Sequence, residues 1–133
     1  MQKIEVVGAA IIENNKLLAA QRSSTMSMPL KWEFVGGKVE RNETHQEALV
    51  REVFEELGIK IKVNDYIATG YSILKDKEII LHVYQAEILE GNPEVREHRA
   101  LRWVGFEELV ELDWPQADIP VVQELMRMYG EQK

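Results

Sequence analysis

The stretch from Lys60 to Leu89 constrains the fold more than any other part of the chain. Lys60–Leu74 and Glu78–Leu89 alternate polar with β-branched and aromatic residues, the period of a half-buried strand, around Lys75-Asp76-Lys77. Two strands of that length must be paired and covered. Ile4 to Ile12 reads as a buried strand, Asn14-Asn15 as a tight turn, and Lys16 to Gln21 as the returning strand. Ser23 to Lys31 is polar, contains Pro29 and reads as a loop. Trp32 to Val35 reads as a short strand ending at Gly36-Gly37, and Ala100 to Val104 as another. Helical patterns cover Thr44–Leu57, a short Phe106–Leu112 and a terminal Ile119–Tyr129, with Met126 and Met128 in its packing. Glu90-Gly91-Asn92-Pro93 is a turn. Strands and helices mixed in this order predict an α/β or α+β sandwich, with helices covering a mixed sheet.

A chain of 133 residues fits one compact domain, 1–133, and shows no repeat or linker. With 45% hydrophobic and 29% charged residues it has the composition of a folded protein. It has no cysteine, which excludes disulfides, thiolate metal sites and a cysteine nucleophile and agrees with a reducing compartment. No secretory segment or membrane-length apolar run is visible, so a cytoplasmic location without membrane contact is expected. The net charge of -7 repels a nucleic-acid polymer. A small phosphate-bearing ligand is still allowed if cations neutralise its site.

The segment Gly37–Ile59 is where such cations have a place. Thr44 followed by Glu47 is a capping box, and Gly58 is a C-terminal stop. Val50, Val53, Phe54 and Leu57 fall at i, i+3, i+4 and i+7, which predicts one apolar stripe facing the core. Glu52, Glu55 and Glu56 share the same relation on the opposite side. Three carboxylates a turn apart repel one another, and only Arg51 lies near. Taken alone, they read as a solvated acidic face; taken as a site, they suit a hard cation such as Mg²⁺ or Mn²⁺.

Gly37, then Glu43 after five residues, then Arg51-Glu52-Val53-Phe54-Glu55-Glu56-Leu57-Gly58-Ile59 after seven more, resembles the Nudix hydrolase signature at every fixed position. The approach Trp32–Glu40 and the tail Trp114–Pro120 resemble the MutT-type branch. Within it the chain is most similar to the CTP pyrophosphohydrolases, relatives of the enzymes that remove oxidised nucleotides. Val35 departs from the proline many members carry before the paired glycines. The resemblance implies the α/β/α Nudix sandwich and Mg²⁺, with Mn²⁺ as a substitute. It implies that Glu52, Glu55 and Glu56 bind metal together with a backbone carbonyl of Gly36 or Gly37. Arg51 and Glu43 would form an orienting pair. Glu97 stands where the branch often has a further carboxylate, and it also reads as a plain surface charge.

On the substrate side, Arg22 resembles the branch's phosphate-contacting arginine, with a strand-end charge as the plain alternative. Asp118 stands where the branch contacts the nucleobase, and as an acceptor it would favour a base edge presenting an amino group. It also reads as a helix N-cap ahead of Pro120. Trp32, Tyr71 and Trp114 are candidates for stacking on a base, though such residues are more often core than ligand contacts. His82 reads as structural, lining the base pocket at most, and His45 as lying near the carboxylate face. The implied reaction is hydrolysis of a nucleoside triphosphate such as CTP, dCTP or 8-oxo-dGTP to a monophosphate and pyrophosphate, by a monomer or homodimer. Alternatives are a nucleoside diphosphate-linked substrate, such as ADP-ribose or a dinucleotide, and a non-catalytic nucleotide-sensing domain.

Overall fold

The computed structural model describes residues 1–130; the expected domain of 1–133 runs past that limit by its last three residues. Strand β1 (Gln2–Glu13) is the axis of the sheet. It runs parallel to β6 (Lys77–Glu90) along Gln2–Ile11 and antiparallel to β4 (Val35–Lys38) along Val6–Ala9. Beyond β6 lies β5 (Lys60–Leu74), antiparallel to it. At its far end β1 turns through Asn14-Asn15, both with positive φ, into β2 (Lys16–Gln21). Two consecutive left-handed residues are what a tight hairpin turn requires, and asparagine tolerates them. Strand β2 carries β7 (Ala100–Gly105) along one edge and β3 (Trp32–Glu33) at the end of the other.

The alternation along β1 divides the interior. Val7, Ala9 and Ile11 point toward α1 (His45–Leu57), where Leu49, Val53 and Leu57 join them in one core. Ala10 points the other way, into a second core closed by Phe34, Trp114 and α2 (Ile119–Tyr129) through Val121, Val122 and Leu125. A mixed sheet between helices is the sandwich that the sequence predicts.

Four local expectations are corrected. Trp32–Val35 is not one strand: Glu33 pairs with Ala20 of β2, whereas Val35 pairs with Ala9 of β1, so the chain changes partner at Phe34. Gly36 and Gly37 lie within β4 rather than ending a strand. The apolar stripe of α1 is also rotated. Ala48, Leu49, Val53 and Leu57 are buried, while Val50 and Phe54 are 40% and 51% exposed. The i, i+4, i+8 row Leu49–Val53–Leu57 competes with the expected stripe, and it is the row that packs into the core with Val7, Ala9 and Ile11; on this rotation Glu52 lies against Gly37. Finally, Phe106–Glu111 is a 3-10 helix, ending one residue before the expected short helix.

Candidate active site

The glycine pair explains how a helix behind the sheet reaches the front of it. A Cβ on Gly37 would overlap the Glu52 carboxylate, and one on Gly36 would overlap the Val7 carbonyl. Without a side chain at Gly37, Glu52 of α1 lies directly against the β4 backbone, and the bare Gly36 lets β4 lie close on β1. The helix is held at both ends. Thr44 accepts from the Glu47 N–H while Glu47 accepts from the Thr44 N–H, and Gly58 closes the C-terminus with φ of 72°.

The three glutamates are not equivalent. The side chains of Glu52 and Glu56 are 17% and 18% exposed, that of Glu55 is 58% exposed. Glu52 and Glu56 therefore adjoin the core face instead of standing opposite to it. Glu55 points outward, 3.6 Å from Arg51. Arg51 ties this region together. Its Nε and Nη2 donate to both oxygens of Glu43 at 2.7 and 2.9 Å, and its Nη1 donates to Glu52 at 2.6 Å. The bidentate bond from Arg51, backed by the Glu40 N–H, holds the Glu43 carboxyl down at about 2, and Glu43 in turn raises the Arg51 pKa.

Glu56 behaves in the opposite way. Burial first, then a hydrogen bond shared with Glu52 and the charges of Glu52, Glu33 and Glu97, push its carboxyl up to about 9. Carboxylates gathered against one another are the donor set of a hard divalent cation, whose charge reverses this repulsion. Among the described residues, no three acidic or imidazole side chains form a ready-made cage. Two glutamates with adjacent backbone carbonyls suit Mg²⁺, which keeps several waters and takes substrate oxygens. The residues present fit such an ion.

A cleft of about 450 Å³ opens beside this cluster. Its lining includes Gly36, Gly37, Glu56 and the exposed Glu97, the polar Arg22, Glu33 and His98, and Phe34, Met26, Met28, Pro115 and Asp118. The fold thus brings Glu56, Glu97, Arg22 and Asp118 to one opening from four separate segments. Arg22 donates from Nη1 to Glu33 at 2.6 Å and from Nε and Nη2 to Ser27 of the following loop at 2.6 and 3.0 Å.

Asp118 is buried and accepts from the Phe34 N–H at 3.4 Å. It occupies the N-cap position of α2 but makes no capping bond, so the capping role is not seen. Burial and then the charge of Glu33 push its carboxyl up to about 8. A carboxyl that holds its proton presents a donor as well as an acceptor to a base edge.

None of the three candidate stacking residues lines the cleft. Trp114 is buried, stacks on Phe34 at 5.3 Å and donates to the Leu109 carbonyl; Trp32 packs on the same core; Tyr71 is 57% exposed. Phe34 is the aromatic ring in the cleft. His82 lies off the cleft and stacks at 4.7 Å on His45, whose Nδ1 meets the Tyr84 hydroxyl at 2.8 Å. His45 therefore packs on the sheet rather than among the carboxylates.

Sequence reasoning missed Glu33 and His98. Glu33 bonds Arg22 with one oxygen and His98 Nε2 with the other, at 2.6 and 2.8 Å. A carboxylate inside the otherwise apolar run Trp32–Val35 was a readable sign that a partner waits in the fold. His98 had no such sign, standing in the charged run Glu94–Arg99.

Comparison with known proteins agrees with this geometry. The NUDIX domain model matches residues 3–125. The chain is 39% identical over 128 residues to the CTP pyrophosphohydrolase of Escherichia coli, covering 96% of this chain and 95% of that protein. It is 33% identical to the 8-oxo-dGTP diphosphatase of the same organism, covering 96% and 100%. The crystal structure of the MutT protein from Methanosarcina mazei superimposes with a TM-score of 0.86 at 26% identity, covering 98% of this chain and 97% of that one. With matches of that reach and a glycine-backed glutamate helix beside its cleft, the chain belongs to the Nudix family, among its MutT-like members.

Proposed function

We propose that residues 1–133 form one catalytic domain, a Mg²⁺-dependent nucleoside triphosphate pyrophosphohydrolase of the cytoplasm. One observation carries this reading: Glu56, beside the Glu52 that lies against Gly37, lines the same cleft as Gly37, Arg22 and Asp118. A cation site, a guanidinium and a recessed polar group in one cleft are what a nucleotide polyphosphate needs. The names of the relatives, CTP pyrophosphohydrolase and 8-oxo-dGTP diphosphatase, support the substrate class.

In this reading Glu52 and Glu56 hold the ion, with Glu97 and a carbonyl of Gly36 or Gly37 available to it; Glu55 supports the cluster from outside. When bound, Mg²⁺ offsets charge on the polyphosphate oxygens and lowers the pKa of a bound water. Arg51 and Glu43 keep Glu52 aimed. Arg22 commits three N–H groups to Glu33 and Ser27, leaving two of its five for a phosphate. Water attacks a phosphorus of the chain, a cleft carboxylate takes its proton, and pyrophosphate leaves. Asp118, bonded to the Phe34 N–H, meets the base.

The test is a substrate panel in Mg²⁺: CTP, dCTP, 8-oxo-dGTP, ADP-ribose and a diadenosine polyphosphate. Monophosphate and pyrophosphate in equal amounts from a triphosphate is the expected result. Turnover confined to ADP-ribose or the dinucleotide, or tight nucleotide binding without turnover, would refute it.

A further inference from the structure

His98 is the most deeply buried polar side chain at the cleft that the reaction above leaves idle. The residue is 5% exposed, and its Nδ1 has no partner among the described residues. Its Nε2 lies 2.8 Å from Glu33 Oε2 and 3.7 Å from Glu56 Oε1. A carboxylate only accepts, so the hydrogen sits on Nε2 and is directed at Glu33. Glu33 then receives two donors from opposite directions, His98 on Oε2 and Arg22 Nη1 on Oε1. Its carboxylate plane is thereby fixed by two groups, one just after β2 and one in the loop before β7. Arg22 is held in the same way, between Glu33 on one side and Ser27 on the other. With the His98 donor removed, Glu33 keeps only Arg22 of its two donors, and the Glu33 side of the guanidinium's hold loosens while Ser27 still holds the other side.

We propose that His98 is a positioning residue which, through Glu33, sets the direction of the Arg22 N–H groups that meet the substrate's phosphate. The same nitrogen lies 3.7 Å from Glu56 Oε1, so the ring is close to both carboxylates. A buried imidazole with one nitrogen engaged and the other unused is suited to such positioning. It is a rigid donor on a ring locked by packing, with no rotamer freedom to lose. The inference rests on reading Arg22 as a phosphate contact.

Two variants separate positioning from packing. His98→Leu removes the donor and keeps an apolar side chain in the buried space; His98→Gln restores an N–H near Glu33. Expected for His98→Leu is a KM for CTP raised about tenfold, the size of one lost hydrogen bond to a charged group. Its kcat should change less than threefold, and His98→Gln should recover most of the KM. In an Arg22→Lys background, His98→Leu should add less than twofold, because both changes act on one contact. Independently of turnover, the Arg22 Nε–H resonance in the ¹⁵N spectrum of the free protein should broaden or shift in His98→Leu and return in His98→Gln. An unchanged resonance in a folded His98→Leu protein overturns the proposal, as does a KM effect that Gln does not relieve or that adds fully to Arg22→Lys. If the parent protein turns over no triphosphate, the functional reading fails, and the resonance alone decides whether His98 holds Arg22.

Discussion

Among the described residues, Asp118 accepts one side-chain hydrogen bond, from the Phe34 N–H; it has almost no access to solvent, and its carboxyl is pushed up to about 8 from the ordinary 3.8. The folded protein therefore keeps a proton that the unfolded chain gives up above about pH 4. By linkage, this group favours folding most at low pH, and its contribution falls as pH rises toward 8. The slope is at most about 1.4 kcal/mol per pH unit over that window. In metal-free protein, Asp118→Asn is expected to flatten the decline in melting temperature between about pH 5 and pH 8. An identical decline in both proteins would contradict the shift. At this scale the sequence was only partly readable. Glu52 and Glu56 are recognisable because their spacing repeats along one helix. The bond joining Glu33 to His98 spans 65 positions, and no local pattern encodes which acid of a charged run turns inward.

Helix α1 shows what one element contributes and what its neighbours decide for it. Its ends were legible: the capping box at Thr44 and the left-handed Gly58 follow from local chemistry and appear as the sequence predicts. Its rotation was not. Two apolar rows run along it, one through Val50 and Phe54 and one through Leu49, Val53 and Leu57, and periodicity alone does not rank them. The row that packs into the core with Val7, Ala9 and Ile11 is the buried one, and on that rotation Glu52 lies against Gly37. Partner exchange at Phe34 escaped for a similar reason, since a four-residue run gives no hint that its halves serve different neighbours. Because the cap lies at the end remote from Glu56, Thr44→Ala should cost about 1 kcal/mol of stability and leave CTP turnover within twofold. Calorimetry with parallel kinetics checks both; a large loss of turnover without loss of stability would mean that the cap acts on the site itself.

For the molecule as a whole, the mixed sheet and the helices that cover it were readable, because β1, β5 and β6 carry strand patterns and each helix carries an apolar face. What the sequence did not convey is that one strand edge joins the two sides of the sandwich. Carboxylates from the α1 side reach a cleft whose floor, through Val6, Leu81 and Phe34, belongs to the α2 side. The paired glycines are the passage between them. In an acidic protein, net charge -7, a divalent ion at that passage would offset the repulsion of a polyanion, and the proposed function rests on that placement. The direct measurement is Mn²⁺ binding by electron paramagnetic resonance, alongside CTP hydrolysis in Mg²⁺, for the parent protein and the Glu52→Gln/Glu56→Gln variant. The parent is predicted to bind the ion and turn over CTP. The variant should stay folded, lose the ion and lose two orders of magnitude or more in turnover, about 3 kcal/mol of charge stabilisation. A folded variant that retains parental Mn²⁺ affinity and turnover would contradict the placement of the cation.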